Sequence, residues 1–243
     1  MMIRVCSGFS PSGRIQYGER FLRSFDRYWP RDVELQVYVE EPMPMPRDAY
    51  RDLFSIPGAA EFHERHRDNL EAQSRAPLAA WKRKEHAARY SFRFDAYKFW
   101  KQILIPQAAA EGLDDGDILI WLDADVETIA RISKLDIVDL MGDAEVAFLC
   151  REPKHSEIGF WAVRIGDKTR RFLADMAEYF TSDRVFELGE WHSAYVWDCA
   201  RVPLNMREKS LCRRGAHGHV WPNTPLAKWM RHDKGRRKPG GKA

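Results

Sequence analysis

The sequence predicts an α/β fold built on one mostly parallel sheet. Two observations carry that expectation. Short apolar runs of strand length alternate with stretches of helical periodicity, and neither a repeat nor a composition break divides the 243 residues. The 44 % of hydrophobic residues is enough to build a full core.

Ile3–Ser7 reads as a first strand, followed by a turn-rich loop over Gly8–Gly13. Tyr17–Tyr28 carries Phe21, Leu22 and Phe25 on one helical face and ends at Pro30. Val33–Val39 alternates as a strand, and the proline-spaced Glu41–Pro46 that follows must be loop. Residues 47 to 90 are charged and helix-prone, with weak periodicity. Within them His63 and His66 stand three apart rather than the four a zincin helix needs, so they belong to a charged helix face. Ser91–Pro106 places Phe92, Ala96, Phe99 and Ile103 on one stripe, a helix expected to stop at Pro106. Asp114–Asp117 is a turn into the apolar strand Ile118–Leu122. Val146–Cys150 and Ile158–Ile165 read as strands, Asp167 as the cap of a helix, and Glu190–Ala200 as a further helix.

The apolar run Ile118–Leu122 ends in Asp123-Ala124-Asp125. Burial of the run fixes the strand, and its end delivers two carboxylates to the sheet edge, where ligands of α/β folds bind. Two hard oxygen ligands one residue apart suit Mg²⁺ or Mn²⁺ carrying a phosphorylated substrate. The segment His232–Pro239 adds an imidazole that can complete a carboxylate metal site. It also holds Gly235, which permits close backbone approach to phosphate, and Lys238, which can offset a leaving diphosphate.

These paired motifs resemble the retaining glycosyltransferases of the GT-A fold, especially the glycogenin-like and bacterial galactosyltransferase-like family. That family has a DxD after a hydrophobic strand and a C-terminal HxxGxxKP, matched here by Asp123, Asp125, His232, Gly235, Lys238 and Pro239. Its usual tryptophan after that proline is Gly240 here. The resemblance implies a GT-A-like domain over residues 1–231, with the basic segment 232–243 contributing to the donor site. It further implies Mn²⁺ (or Mg²⁺) held by Asp123, Asp125 and His232, and a UDP-sugar whose diphosphate meets Lys238. Arg93 and Lys98 become candidates for phosphate or sugar contacts, the alternative for Asp95 and Lys98 being a surface ion pair. Glu157 lies where the family lines its sugar and acceptor site. Glu190, His192 and Asp198 are the polar candidates facing the reacting carbon. Ser193 and Ala194 stand where relatives carry an acidic or amide pair, while Trp191 and Trp197 read as core. The implied activity is hexosyl transfer to an acceptor hydroxyl with retention.

Charge bears on the acceptor. From Arg207 to Ala243 eleven basic residues face two acidic ones, a local charge of +9 that leaves −6 on the rest of a chain of net +3. Such a segment expects an anion, and a hydroxylated base in DNA joins glycan, lipid and protein hydroxyls as candidate acceptors. No apolar stretch approaches the roughly 20 residues of a membrane span. The N-terminus lacks the apolar core of a signal peptide, and four scattered cysteines suit a reducing cytoplasm. The sequence leaves the oligomeric state open. Two other classes compete. One is a phosphohydrolase with Asp123 as nucleophile and Asp125 as acid, although that family carries its DxD on the first strand. The other is a polyanion binder that keeps the fold without turnover, favoured by Ser193 and Ala194 and opposed by the complete HxxGxxKP.

Overall fold

The computed structural model describes residues 1–75 and 90–232. The elements in chain order are β1 (Ile3–Gly8), α1 (Pro11–Gly13), α2 (Glu19–Tyr28), β2 (Glu34–Val39), β3 (Tyr50–Asp52), α3 (Ala59–His66), α4 (Ala96–Ala109), β4 (Ile118–Leu122), β5 (Val126–Thr128), α5 (Lys134–Met141), β6 (Val146–Leu149), β7 (Glu157–Arg164), α6 (Asp167–Thr181), α7 (Ser193–Arg201), β8 (Glu208–Ser210) and β9 (Met230–His232). Seven strands form one sheet in the order β3-β2-β1-β4-β7-β6-β8. Its pairs are parallel except where β7 runs antiparallel to both β4 and β6. A separate two-stranded ribbon joins β5 to β9.

The α/β expectation holds, and β4 demonstrates why. All five of its side chains are buried, with Leu119 and Trp121 entering one core and Ile118, Ile120 and Leu122 the other. The first core lies under α3, α4, α6 and α7; the second lies under α2, α5 and the C-terminal Trp221, Leu226 and Met230. Each large aliphatic side chain so buried stabilises the fold by roughly 1.5–3 kcal/mol before entropy is counted. A strand covered on both faces must be apolar throughout, so β2 is also almost fully buried although its sequence alternates.

Several local expectations change. The helix before β2 begins at Pro11, with Ser10 Oγ accepting from Gly13 N, and continues through Arg14–Gly18 into α2, so the expected loop over Gly8–Gly13 is half helix. Proline is tolerated there because its missing N–H would be unsatisfied anyway. The α4 helix starts at Ala96 and runs through Pro106 to Ala109. Pro106 lies in its last turn, where one missing bond does not end the helix, and Ala110 N closes onto Pro106 O at 3.1 Å. Phe92, expected on the buried stripe, is exposed, and Trp100 takes the core position. Asp95 and Lys98 form no surface ion pair: the Asp95 carboxylate accepts from Lys98 N at 3.0 Å and caps α4. The α6 helix is capped by Gly166, whose N–H donates to Thr169 Oγ1 at 3.0 Å, with Asp167 as its first residue rather than its cap. His66 is buried and bonds Asp183 at 2.9 Å, and half-buried His63 bonds the Tyr97 hydroxyl at 2.9 Å, while Glu61, Glu64 and Arg65 make the exposed charged face of α3. No helix among the described residues is long and apolar enough to cross a membrane.

Candidate functional site

In the sheet order, β1 has β2 on one side and β4 on the other, so the chain reverses direction around the carboxyl ends of β1 and β4. Parallel strands that diverge in this way leave a crevice beyond their ends. A cavity of about 340 Å³ occupies it, lined from β1 by Gly8 and Phe9, from α4 by Lys98, Phe99, Lys101 and Gln102, and from β4 by Trp121, Asp123 and Asp125. A second cavity of about 290 Å³ shares Phe9 and Ser10 with the first and extends past the end of β2 to Glu40, Pro42 and Met43.

The acids reach this crevice because β4 is held in register by its neighbours. The Asp123 N–H donates to Gly159 O at 2.9 Å, continuing the antiparallel ladder with β7 by one residue. The chain then turns, Val126 N donating to Asp123 O at 2.9 Å, and enters β5. There Val126 pairs with His232 in β9, which carries the histidine back from more than a hundred residues downstream. Asp123, Asp125 and His232 offer ligand atoms that all lie within 4.8 Å of one another.

The geometry inside this group is specific. His232 Nε2 lies 3.0 Å from Asp125 Oδ1. The imidazole is buried, and among the described residues neither of its ring nitrogens makes an aligned hydrogen bond. Burying an imidazole in that condition is unfavourable unless a further partner completes it. Asp123 Oδ1 accepts from Trp121 Nε1 at 2.8 Å and from Gln102 Nε2 at 3.0 Å. Gly159 completes the enclosure, because a Cβ there would stand 2.8 Å from His232 Cε1 and 3.3 Å from Asp123 Oδ2. Two carboxylates and an imidazole form a donor set that suits Mn²⁺ or Mg²⁺.

Lys98 and Lys101 bring cations to the same cavity. Burial pushes the Lys101 ammonium down to about 8, and Glu40 stands in direct contact with it. Arg93 is elsewhere: its guanidinium stands 3.5 Å from Glu190, and its carbonyl accepts from Trp191 N at 2.6 Å. Gly235 and Lys238 lie outside the described residues.

The remaining candidates gather at the start of α7. His155, Glu190 and His192 form a second group of clustered ligand atoms. His192 caps α7, its Nδ1 accepting from Tyr195 N at 3.4 Å, and its Nε2 meets Glu190 Oε2 at 2.8 Å. With Nδ1 accepting, Nε2 carries the proton and donates to the carboxylate, which makes the pair a hydrogen-bonded dyad. Burial lowers the proton affinity of His192, and the Glu190 carboxylate opposes that effect. Asp198 accepts from Ser156 N at 3.1 Å, from Ser156 Oγ at 2.8 Å and from Arg201 at 3.1 Å, pinning the loop before β7 to α7. Glu157 is buried at the start of β7, 3.5 Å from Arg151. Trp191 and Trp197 are core residues, as expected. Phe99, on the wall of the larger cavity, lies 6.2 Å from the His192 ring.

Sequence reasoning missed Gln102 and Lys101, and it placed Gly159 only in the strand that the resemblance assigns to the sugar and acceptor site, not beside His232 and Asp123. Gln102 and Lys101 sit on a helix whose exposed and cavity-facing sides have the same polar character. Only the expected strand at Ile158 hinted that a glycine there answers a close approach.

No family model matches the chain, and no curated protein matches it. Among the solved structures similar to the chain are glycosyltransferases. The WbbM bifunctional glycosyltransferase is 11 % identical with a TM-score of 0.44, over 93 % of this chain and 43 % of its own. A glycosyltransferase involved in glycosylation of the major capsid of PBCV-1 is 13 % identical with a TM-score of 0.46, over 86 % of this chain and 81 % of its own. A mouse xyloside xylosyltransferase is 10 % identical with a TM-score of 0.44, over 87 % of this chain and 85 % of its own. The chain thus spans less than half the length of the first of these. The likeness is distant.

Proposed function

We propose that the chain is a divalent-metal-dependent glycosyltransferase that moves a sugar from a UDP-sugar to an acceptor hydroxyl with retention of configuration. The observation that carries this reading is the convergence of Asp123, Asp125 and buried His232 beside a lysine-lined crevice at the sheet's point of reversal. The site fits an ion on its own terms, through the ring nitrogens of His232 and the room left by Gly159. A bound ion there would offset the charge that develops on a departing diphosphate.

The chain's own residues supply the rest. Lys98 and Lys101 present cations to the diphosphate oxygens, and the adjoining cavity past β1 and β2 has the mixed apolar and polar wall a nucleoside needs. In this reading Gly235 and Lys238, which lie outside the described residues, belong to the set that binds the diphosphate. On the same reading the Glu190–His192 dyad and Glu157 face the sugar and the acceptor, and Glu190 takes the acceptor proton. Asp198 acts by holding the loop before β7. A phosphohydrolase fits less well, because Asp123 already accepts two hydrogen bonds on one oxygen, which blunts it as a nucleophile.

Three of the described basic residues in the C-terminal segment give a DNA acceptor no support. Arg207, Lys209 and Arg231 bond Glu145, Asp139 and Glu127 of the fold instead of presenting a phosphate-binding row. The proposed acceptor is a glycan, lipid or protein hydroxyl. The test is a panel of nucleotide sugars read by thermal shift and by hydrolysis, with Mn²⁺ and with EDTA. A ligand at a hundred times its Kd stabilises by about 2.7 kcal/mol. UDP-sugars are expected to raise the melting temperature, and to be hydrolysed, only with the ion present. Equal hydrolysis in EDTA contradicts the proposal.

A further inference from the structure

We propose that Gln102 and Ser193 are positioning residues, a two-link chain of hydrogen bonds by which the first residue of α7 sets the orientation of the Asp123 carboxylate. The inference rests on reading Asp123 as an ion ligand.

Hydrogen-bond chemistry fixes the direction of the chain. An ionised carboxylate can only accept, so the Gln102 group facing Asp123 Oδ1 at 3.0 Å must be its Nε2–H. The amide oxygen then points the other way, to Ser193 Oγ at 2.6 Å. An amide oxygen can only accept, so the serine hydroxyl must donate. The second donor on Oδ1 is Trp121 Nε1 at 2.8 Å, and an indole N–H has no other capability. Both donors converge on the same oxygen. The other, Oδ2, is the one directed at the space beside Gly159 and the His232 ring.

Two of the partners are enclosed. Trp121 and Ser193 are both buried, at 1 % and 2 % exposure. Ser193 follows directly on His192, whose ring caps α7 and bonds Glu190. The chain therefore joins the metal-side carboxylate to the helix that carries the acceptor-side dyad. Partners of this kind orient a ligand without touching the metal, and their removal typically weakens metal affinity 10- to 100-fold. Ser193, which departs from the acidic or amide pattern of the family that the sequence resembles, thereby acquires a task of its own.

The experiment is a Mn²⁺ titration of the full chain, followed by the electron paramagnetic resonance of free Mn²⁺, without any sugar substrate. It compares the wild type with Gln102→Leu, Ser193→Ala, the double variant and Asp123→Asn, thermal melts reporting folding. Wild-type binding that Asp123→Asn abolishes establishes the ion site. Gln102→Leu is then expected to weaken binding by about 10- to 100-fold. Ser193→Ala should weaken it less, and the double variant should match Gln102→Leu alone, because the serine acts only through the amide. Wild-type affinity in both single variants, with Asp123→Asn still inactive in binding, overturns the positioning role and leaves the ion site standing. Independent, multiplying losses overturn the chain as well. Absence of binding in the wild type, or undiminished binding in Asp123→Asn, removes the ion reading and this inference with it. If Gln102→Leu fails to fold, Ser193→Ala, which deletes one oxygen, decides alone: unaltered affinity overturns the proposal.

Discussion

His232 packs against the bare Cα of Gly159, with the position a Cβ would take only 2.8 Å from its Cε1 and 3.1 Å from its Nδ1. The strand that faces β4 therefore lacks a side chain at the point where the C-terminal ribbon returns to it. Gly159→Ala is expected to push the imidazole away from Asp123 and Asp125. Over-packing of this kind costs about 1–3 kcal/mol, and divalent-ion affinity should fall with it. Thermal melts and Mn²⁺ titration of the variant check both, and an alanine variant that binds Mn²⁺ normally would contradict the crowding.

Lys101 ties nucleotide binding to pH. Burial brings its ammonium down to about 8, so below that pH the free protein already carries the cation a diphosphate needs. Above it the free lysine is neutral, and binding must take up a proton or forgo the ion pair. UDP affinity in the presence of Mn²⁺ should therefore weaken as pH rises through about 8. In Lys101→Met the affinity should be lower and the decline should flatten. Calorimetry across that range measures both.

His192 should make the fold sensitive to acid. Its proton affinity is lowered by burial from the ordinary value of 6.5, against the pull of Glu190. Below that value the unfolded chain binds a proton that the folded chain resists, so stability is lost as pH falls through the ordinary imidazole range. Asparagine is also a good helix N-cap, and His192→Asn should keep the cap while reducing this acid loss. Urea midpoints at pH about 7 and about 5 compare the two proteins.

Arg4 joins β1 to the end of α4. Its Nη1 donates to Ala109 O at 2.6 Å and to Glu111 O at 2.7 Å, and its Nε to Glu34 at 2.7 Å. These carbonyls lie at the helix's C-terminal end, where backbone acceptors lack intrahelical partners. Arg4→Ala is expected to destabilise by about 2–4 kcal/mol, seen as a lower urea midpoint at unchanged slope.

What the sequence revealed followed from local pattern. The β4 run and its terminal acids were legible because a strand buried on both faces must be apolar and must end where polar residues begin. His232 was legible through its spacing from Gly235 and Lys238, but its pairing with Val126 was not, since three-residue strands leave no periodicity. The α5 helix escaped notice although Ser133 and Asp136 form a capping box, a signal that can be read three residues apart. The antiparallel insertion of β7 and the Ser193–Gln102–Asp123 chain arise only from tertiary placement. Polar residues on a helix look alike in sequence whether they meet water or a buried carboxylate.

The central claim is that Asp123, Asp125 and His232 hold one divalent ion at the mouth of the crevice. Crystals grown with Mn²⁺ and UDP, with diffraction recorded at the manganese edge, test it directly. The account predicts one strong anomalous peak within bonding distance of both carboxylates and the imidazole. An ordered UDP complex with no anomalous peak there, or with manganese bound elsewhere in the molecule, would contradict it.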